Sequence, residues 1–268
     1  MPKHPFDKAI KLKRQDDGGF LGHTSPDYAN FVGPFGGITT AQLLNAVLLH
    51  PDRLGDPISL TVNFCAAVPD GPFTVQAIAA RTNRSTQHWV IEMEHGGEVV
   101  MTGTAVTAVR RETWGVDEEP MPLTPPPAEC PLPSAVPPIK FFERYELRAI
   151  AGMLPSVWDG TGQSSLTQMW VRDEPPRPLD FASLACLADI FFPRVFVRRA
   201  THVPVGTVSM TVYFHASSQQ MKECGEGYLL GQAKAQAFRN GFFDQTSQLW
   251  SEAGVLLATT HQIVYYKQ

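Results

Sequence analysis

An internal repeat is the feature that most limits how this 268-residue chain can fold. The segments SLTVNFCA (59–66) and SMTVYFHA (209–216) agree at five of eight positions, at an offset of 150. A second match, at an offset of 157, pairs Asn83 with Asn240, Gly97 with Gly254, and Thr102 with Thr259. The two matches occur in the same order and are separated by a length change that a loop can hold, which indicates duplication of one unit.

A proline-rich segment separates the two copies. From Pro120 to Pro138, nine of 19 residues are proline, which predicts an extended spacer without a helix or a central strand. The sequence therefore predicts an N-terminal domain (1–115), a linker (116–139) and a C-terminal domain (140–268).

Each copy has the same predicted order of elements, a helix followed by antiparallel strands. Both helices, predicted at 36–51 and 181–193, are apolar over most of their surface, as expected of a helix enclosed by other structure. A long antiparallel sheet wrapped around one central helix is the hot-dog arrangement, so we expect an α+β double hot-dog. The alternating patterns predict strands near 58–64, 72–82, 87–95 and 98–109 in the first copy, and 206–217, 227–239, 243–251 and 255–266 in the second.

Composition and missing motifs exclude several function classes. With 22 basic and 26 acidic side chains the formal charge is −4, which argues against a nucleic-acid partner. No apolar run approaches the roughly 18 residues of a membrane span, and the amino-terminal residues lack a secretory core, so a cytoplasmic protein is expected. The four cysteines form no C-x-x-C pair, and neither H-E-x-x-H, a P-loop, G-x-G-x-x-G nor G-x-S-x-G is present. We therefore expect no metal and no organic cofactor.

The motif order resembles that of the type II acyl-CoA thioesterase family, over roughly residues 15–110 and 140–268. This resemblance implies a thioester hydrolase acting on a small-molecule acyl-CoA, and it also implies a homo-oligomer. The segments that carry it are GPFGG (33–37), SLTVNF (59–64), the aspartate-bearing second helix, GTVSMTVYFH (206–215) and LLATTHQ (256–262).

Asp189 is the most informative single residue. Its neighbours from Ala185 to Phe192 include no partner that could neutralise it, and an unpaired buried carboxylate is costly. Either it faces a gap to solvent or caps local backbone, or it is held in an active-site pocket. Its counterpart in the first copy is Asn45, which cannot act as a base.

Gln262 and Thr207 are two further polar residues specific to the second copy. At the 157 offset the counterpart of Gln262 is Ala105, and the strand that Thr207 begins has a counterpart starting near Pro57. Gln262 is predicted on a strand face that it shares with aliphatic residues, where an amide needs hydrogen-bond partners. A structural amide and an ordinary strand threonine are the alternative readings. That predicted face contains Leu256, Ala258, Thr260, Gln262 and Val264.

The resemblance implies that Asp189, Thr207 and Gln262 orient and activate the attacking water. Thioester hydrolysis also needs stabilisation of the oxyanion, and unpaired N–H groups at a helix start can provide it. Gly36 and Gly37 are therefore candidate substrate-binding residues, with a turn into a tightly packed helix as the alternative. Two other functions remain open: a non-catalytic acyl-CoA or acyl-carrier binding module, and a hot-dog enoyl-CoA hydratase. The hydratase requires a histidine five residues after the aspartate, where this chain has Arg194.

Overall fold

The computed structural model describes residues 3–134 and 136–267. The elements of the first half are α1 (Pro5–Ala9), β1 (Lys13–Arg14), β2 (Phe20–His23), α2 (Gly36–Leu48), β3 (Asp56–Phe64), β4 (Pro72–Thr82), β5 (Thr86–His95) and β6 (Glu98–Ala108). Those of the second half are β7 (Tyr145–Ala151), β8 (Thr167–Asp173), α3 (Phe181–Leu187), α4 (Arg194–Arg199), β9 (Val205–Phe214), α5 (Ser218–Cys224), β10 (Leu229–Lys234), β11 (Phe238–Arg239), β12 (Phe242–Ser251) and β13 (Leu256–Tyr266). Short 3₁₀ turns occur at Pro26–Tyr28, Pro127–Glu129 and Lys140–Arg144.

The strands form one sheet whose order repeats outward from its centre. On one side the order is β3, β6, β5, β4, β2 and β1; on the other it is β9, β13, β12, β10, β8 and β7. The short strand β11 pairs with β12 beside this path. Each position in the first series has a counterpart of the same rank in the second. The duplication and the double hot-dog architecture predicted from the sequence are confirmed.

The two halves meet along β3 and β9, which pair antiparallel about a local two-fold axis. Thr61 lies opposite Thr211, and their hydroxyl oxygens are 3.0 Å apart. These two residues are also equivalent in the sequence repeat. On either side of this pair, Leu60 lies opposite Val212 and Val62 lies opposite Met210. The repeat relates these two pairs to each other, because Leu60 is equivalent to Met210 and Val62 to Val212. The axis therefore passes between Thr61 and Thr211.

The length difference between the copies lies in the loop after the first long strand. Residues 65–71 connect β3 to β4, whereas residues 215–228 connect β9 to β10 and contain α5. This loop lies between the two sequence matches, where the offset changes from 150 to 157. The added residues form α5, whose Met221 is buried in the main core.

The central helices are shorter than the sequence suggests, and α3 is the shorter of the two. α2 ends at Leu48 and α3 ends at Leu187. After α3 the backbone hydrogen bonds span three residues, as in a 3₁₀ turn. The N–H of Asp189 donates to the carbonyl of Cys186 and that of Ile190 donates to the carbonyl of Leu187, each at 3.2 Å. Asp189 therefore lies in the turn that follows α3. The expectation that it lies on the helix itself is wrong.

The proline-rich linker lies along the outer face of the second half of the sheet. The indole N–H of Trp170 donates to the carbonyl of Pro125 (2.9 Å), and that of Trp250 donates to the carbonyl of Glu119 (3.3 Å). Cys130 packs against the same two tryptophans and Leu230. The two indoles thus satisfy the carbonyls of a segment that has no strand partner of its own.

The main core lies inside the curved sheet and spans both halves without a break. It contains every apolar residue of α3 and most of those of α2, together with the inward residues of the strands. Gly37 of α2 is packed directly on α3, because a Cβ at that position would lie 2.4 Å from the carbonyl oxygen of Cys186. The close approach of the two helices brings the start of α2 beside the turn after α3. Within residues 3–134 and 136–267, no helix is long and apolar enough to cross a membrane.

Candidate active site

Asp189 and Gln262 come from different parts of the second half and form a direct hydrogen bond. Nε2 of Gln262 donates to Oδ1 of Asp189 at 2.8 Å. The same nitrogen also approaches the sulfur of Met210, the residue opposite Gln262 in the sheet, at 3.0 Å. Both N–H groups of the amide therefore have an acceptor. The amide is buried, 3% exposed, whereas Asp189 is only partly buried.

The start of α2 supplies the other side of this site from the first half of the chain. A Cβ at Gly36 would lie 2.7 Å from Oδ2 of Asp189, so glycine allows the carboxylate to approach the helix start without a collision. The backbone N–H of Gly37 also lies close enough to the carboxylate to lower its pKa. α2 has no side-chain cap of its own at Phe35. The carboxylate of Asp189 thus occupies the place of an N-cap, where a helix favours negative charge.

The carboxyl group of Asp189 has a strongly shifted pKa. Burial raises it from 3.8 to about 7, while the hydrogen bonds from Gln262 and Gly37 oppose the rise. Desolvation is the larger effect because few polar groups replace the water that the carboxylate loses. A carboxyl group with this pKa accepts and releases a proton near neutral pH, which suits a general base.

A β-bulge places Thr207 on the inner face of the sheet. Ser209 pairs with Ile263 and Thr207 pairs with Val264, so Val208 is an extra residue in β9. Without this bulge Thr207 and Met210, three positions apart, would point to opposite faces. With it, Thr207 lies opposite the buried Val264 on the side of Gln262. The structure records no hydrogen bond from the Thr207 hydroxyl to Asp189 or Gln262 among the described residues.

A second bulge changes which residues at the start of β13 share the face of Gln262. Leu249 pairs with Ala258 and Trp250 with Leu256, so Leu257 is the extra residue. Leu256 therefore packs outward with the tryptophans under the linker. The prediction that Leu256 lies on the same face as Gln262 is wrong. Strict alternation fails at a bulge because the added residue reverses the faces on one side of it.

The first half lacks this polar set at the positions that the repeat assigned. Ala105 lies opposite Leu60, just as Gln262 lies opposite Met210. The side chain of Asn45 is occupied elsewhere, because its Nδ2 donates to the carbonyl of Ile10 at 2.7 Å. The chain therefore has a single carboxylate–amide pair at its two related central positions.

Met210 and Phe64 lie at this site and were not singled out from the sequence. Met210 accepts from the Gln262 amide, and the ring of Phe64 lies 3.3 Å from the Cβ position of Gly36. Both residues belong to the repeated strand motifs, SMTVYF and SLTVNF. Their apolar character predicted burial in the core, and the motif contained no signal that distinguished them from other inward residues.

Comparison with known proteins agrees with this architecture. Residues 24–108 match the acyl-CoA thioesterase N-terminal domain and residues 119–266 match the acyl-CoA thioesterase C-terminal domain. No curated protein sequence matches the chain.

Solved structures resemble the chain over its whole length. A conserved hot-dog protein of unknown function from Alicyclobacillus acidocaldarius is 47% identical, with a TM-score of 0.95, over 100% of this chain and 99% of that one. A Thermobifida fusca protein assigned as a thioesterase II is 20% identical (TM-score 0.83, 100% and 99% covered). Acyl-CoA thioesterase II TesB2 from Mycobacterium marinum is 18% identical (TM-score 0.77, 98% of each chain) and shares the fold. Because the two domain matches together cover most of the sequence, this chain belongs to the acyl-CoA thioesterase family.

Proposed function

We propose that this protein hydrolyses an acyl-CoA thioester to a free acid and CoA, with Asp189 as the base. The observation that carries the proposal is the pairing of Asp189 with Gln262 beside the start of α2. A partly buried carboxyl group with a pKa near 7, held by an amide against a helix N-terminus, can take a proton from water at neutral pH.

Gln262 and Thr207 have separate roles in this proposal. Since both N–H groups of Gln262 are used by Asp189 and Met210, its Oε1 is the atom available to accept from the attacking water. Thr207, which the bulge turns to the same face, supplies a hydroxyl that directs the water. The three residues named from the sequence thus remain the proposed catalytic set.

The start of α2 supplies the oxyanion contact. Because the N–H of Gly37 acts on the carboxylate of Asp189, whose pKa it lowers, we assign the N–H of Gly36 as the donor to the substrate carbonyl. The first N–H groups of a helix have no intrahelical acceptor, and the absence of a side chain at Gly36 allows the carbonyl to approach.

Hydrolysis then proceeds without an acylated residue. Asp189 accepts a proton from water while the oxygen of that water bonds to the thioester carbon. The electrons of the carbonyl double bond move to the carbonyl oxygen, which the N–H of Gly36 holds. Collapse of this intermediate re-forms the carbonyl and breaks the carbon–sulfur bond. The thiolate of CoA takes the proton back from Asp189, so the products are a carboxylic acid and free thiol.

The hydratase alternative is disfavoured by Arg194. Its guanidinium is completely buried and bonds the carbonyls of Phe192 and Ser165 and the hydroxyl of Thr167. It therefore replaces the histidine that the hydratase reaction requires and is not available to a substrate. The non-catalytic binding module remains the second candidate, because it requires the same fold but neither a base nor an ordered water.

The deciding experiment is thiol release from a panel of straight-chain acyl-CoAs from two to 16 carbons. We expect hydrolysis by the wild-type protein, a loss of about 10³-fold or more in Asp189→Asn, and a smaller loss in Thr207→Val. Asp173→Asn is the matched control, because Asp173 is another buried carboxyl group with a pKa raised to about 7 that has no place in the mechanism. Binding of acyl-CoA without any thiol release would instead support the binding module.

A further inference from the structure

The two halves differ at the first residue of the central helix. α2 begins with Gly36 and α3 begins with Phe181. Next to each helix start is the last residue of the central strand of the same half, Phe64 in β3 and Phe214 in β9. These two phenylalanines are equivalent in the sequence repeat.

In the second half, the space beside the strand phenylalanine is filled. Phe181 packs edge-on against Phe214, with ring centroids 5.7 Å apart and an interplanar angle of 85°. Both rings are buried. Asp180 also caps α3 from within its own half. This related position therefore has neither free volume nor an open helix start.

In the first half, the helix begins with a residue that has no side chain, and the carboxylate of Asp189 lies where a larger residue would place its Cβ. A Cβ at Gly36 would lie 2.7 Å from Oδ2 of Asp189 and 3.3 Å from Cε1 of Phe64. The ring of Phe64 and the carboxylate of Asp189 thus both lie beside the backbone of Gly36. Phe64 is only partly buried, unlike Phe214.

A thioester carbon that is attacked by water from Asp189, with its oxygen held by the N–H of Gly36, must also lie beside Gly36 and therefore near the ring of Phe64. Its neighbours are the sulfur on one side and the α-carbon of the acyl group on the other. An apolar ring suits the acyl side, since the arm of CoA carries amides that would lose their hydrogen bonds against it. Because the ring lies 3.3 Å from the Cβ position of Gly36, a methyl group added to the α-carbon of a substrate bound there would compete with it for space.

We propose that Phe64 determines specificity by contacting the acyl group at its α-carbon, so that the enzyme selects unbranched over α-branched acyl groups. This inference rests on the thioesterase function proposed above. It assigns Phe64 no part in proton transfer. Its role is to limit the width of the site at the atom that follows the carbonyl.

The test compares the straight-chain acyl-CoA that is hydrolysed fastest with its 2-methyl-branched isomer of equal carbon number. The two substrates have the same composition, so the ratio of their kcat/KM values reports shape. We expect the ratio to favour the straight chain in the wild-type protein and to fall about tenfold or more in Phe64→Ala. Phe64→Leu should give a smaller change, and Phe64→Trp should raise the ratio.

Phe214→Ala is the matched control at the related position. It removes a more deeply buried ring, so it should lower the Tm while leaving the substrate ratio unchanged. If Phe64→Ala does not fold, the leucine and tryptophan variants still test the ratio in opposite directions.

The outcomes separate the two proposals. Wild-type hydrolysis with an unchanged ratio in the Phe64 variants overturns the specificity role alone. A uniform fall in kcat/KM for both isomers also overturns it, because it would place the ring on the thiol side. Absence of hydrolysis with every acyl-CoA overturns the proposed function and this inference with it.

Discussion

Nε2 of Gln262 lies 2.8 Å from Oδ1 of Asp189 and links the last strand of the sheet to the turn after α3. The bond joins residues 73 positions apart in the sequence. It holds the carboxylate toward the start of α2, which belongs to the other half of the chain. The proposed site is therefore complete only when both copies of the repeat have folded together.

The shifted pKa of Asp189 predicts how activity depends on pH. A base must be ionised to act, so kcat/KM should fall as the pH drops through about 7 and reach a plateau above it. The measurement is the pH profile of kcat/KM for one acyl-CoA between pH 5 and 9. A profile that stays flat down to pH 5 would exclude Asp189 as the base.

Replacement of Gln262 should move that profile. Because its amide lowers the pKa of Asp189, Gln262→Met should raise the apparent pKa by about one unit and reduce the maximal rate. Methionine keeps the length and volume of the side chain, so the sheet should be little disturbed. An unshifted profile with a reduced plateau would mean that Gln262 acts only on the water.

Gly36 and Gly37 should respond differently to the same substitution. Gly36→Ala places a methyl group against the carboxylate of Asp189, so activity should fall at least tenfold with little change in Tm. Gly37→Ala places it against the Cys186 carbonyl between the two helices, so it should lower the Tm as well. Thermal unfolding and thiol release on both variants provide the comparison. Full activity in Gly36→Ala would argue against a substrate carbonyl at this position.

The raised pKa of Asp173 predicts that the free energy of unfolding falls as the pH rises. It is 4% exposed, and burial raises its pKa to about 7, above the unfolded value near 3.9. The unfolded chain therefore releases this proton near pH 4 and the native protein only near pH 7, so the free energy of unfolding falls between these values. The effect of one such group is up to about 4 kcal/mol.

Urea unfolding of Asp173→Asn at pH 4.5, 6 and 7.5 tests this expectation. The variant should show a weaker decline than the wild-type protein and should retain thiol release. Asp189→Asn should weaken the decline in the same direction but abolish activity. An identical pH dependence in Asp173→Asn and the wild-type protein would show that Asp173 is not the source of the decline.

The linker should contribute to stability through Trp250. Trp250→Phe keeps an aromatic ring under the linker but removes the N–H that donates to Glu119, so a loss of about 1 kcal/mol is expected. Trp250→Ala also removes the buried ring and should cost about 3–5 kcal/mol. Limited proteolysis within residues 117–131 should become faster in the alanine variant. Unchanged cleavage would show that the outer face does not hold the linker.

The repeat in the sequence was sufficient to predict the architecture. Matching SLTVNF to SMTVYF already implied two related units, each with a helix followed by antiparallel strands. The structure adds the strand order, in which equivalent strands occupy equivalent ranks of the sheet. The polar residues of the second copy were recognisable for the same reason, since Ala105 shows that the fold does not require an amide at the position of Gln262.

The tertiary structure decided the location of Asp189, the face of Thr207 and the role of the α2 start. The end of α3 is set by backbone hydrogen bonds after Leu187, and the two bulges reverse faces in β9 and β13 without any signal in the side-chain pattern. The approach of Asp189 to Gly36, beside the ring of Phe64, depends on how α2 packs on α3. Side-chain periodicity determines which elements form, whereas the contacts between elements distant in the chain depend on packing that no local pattern encodes.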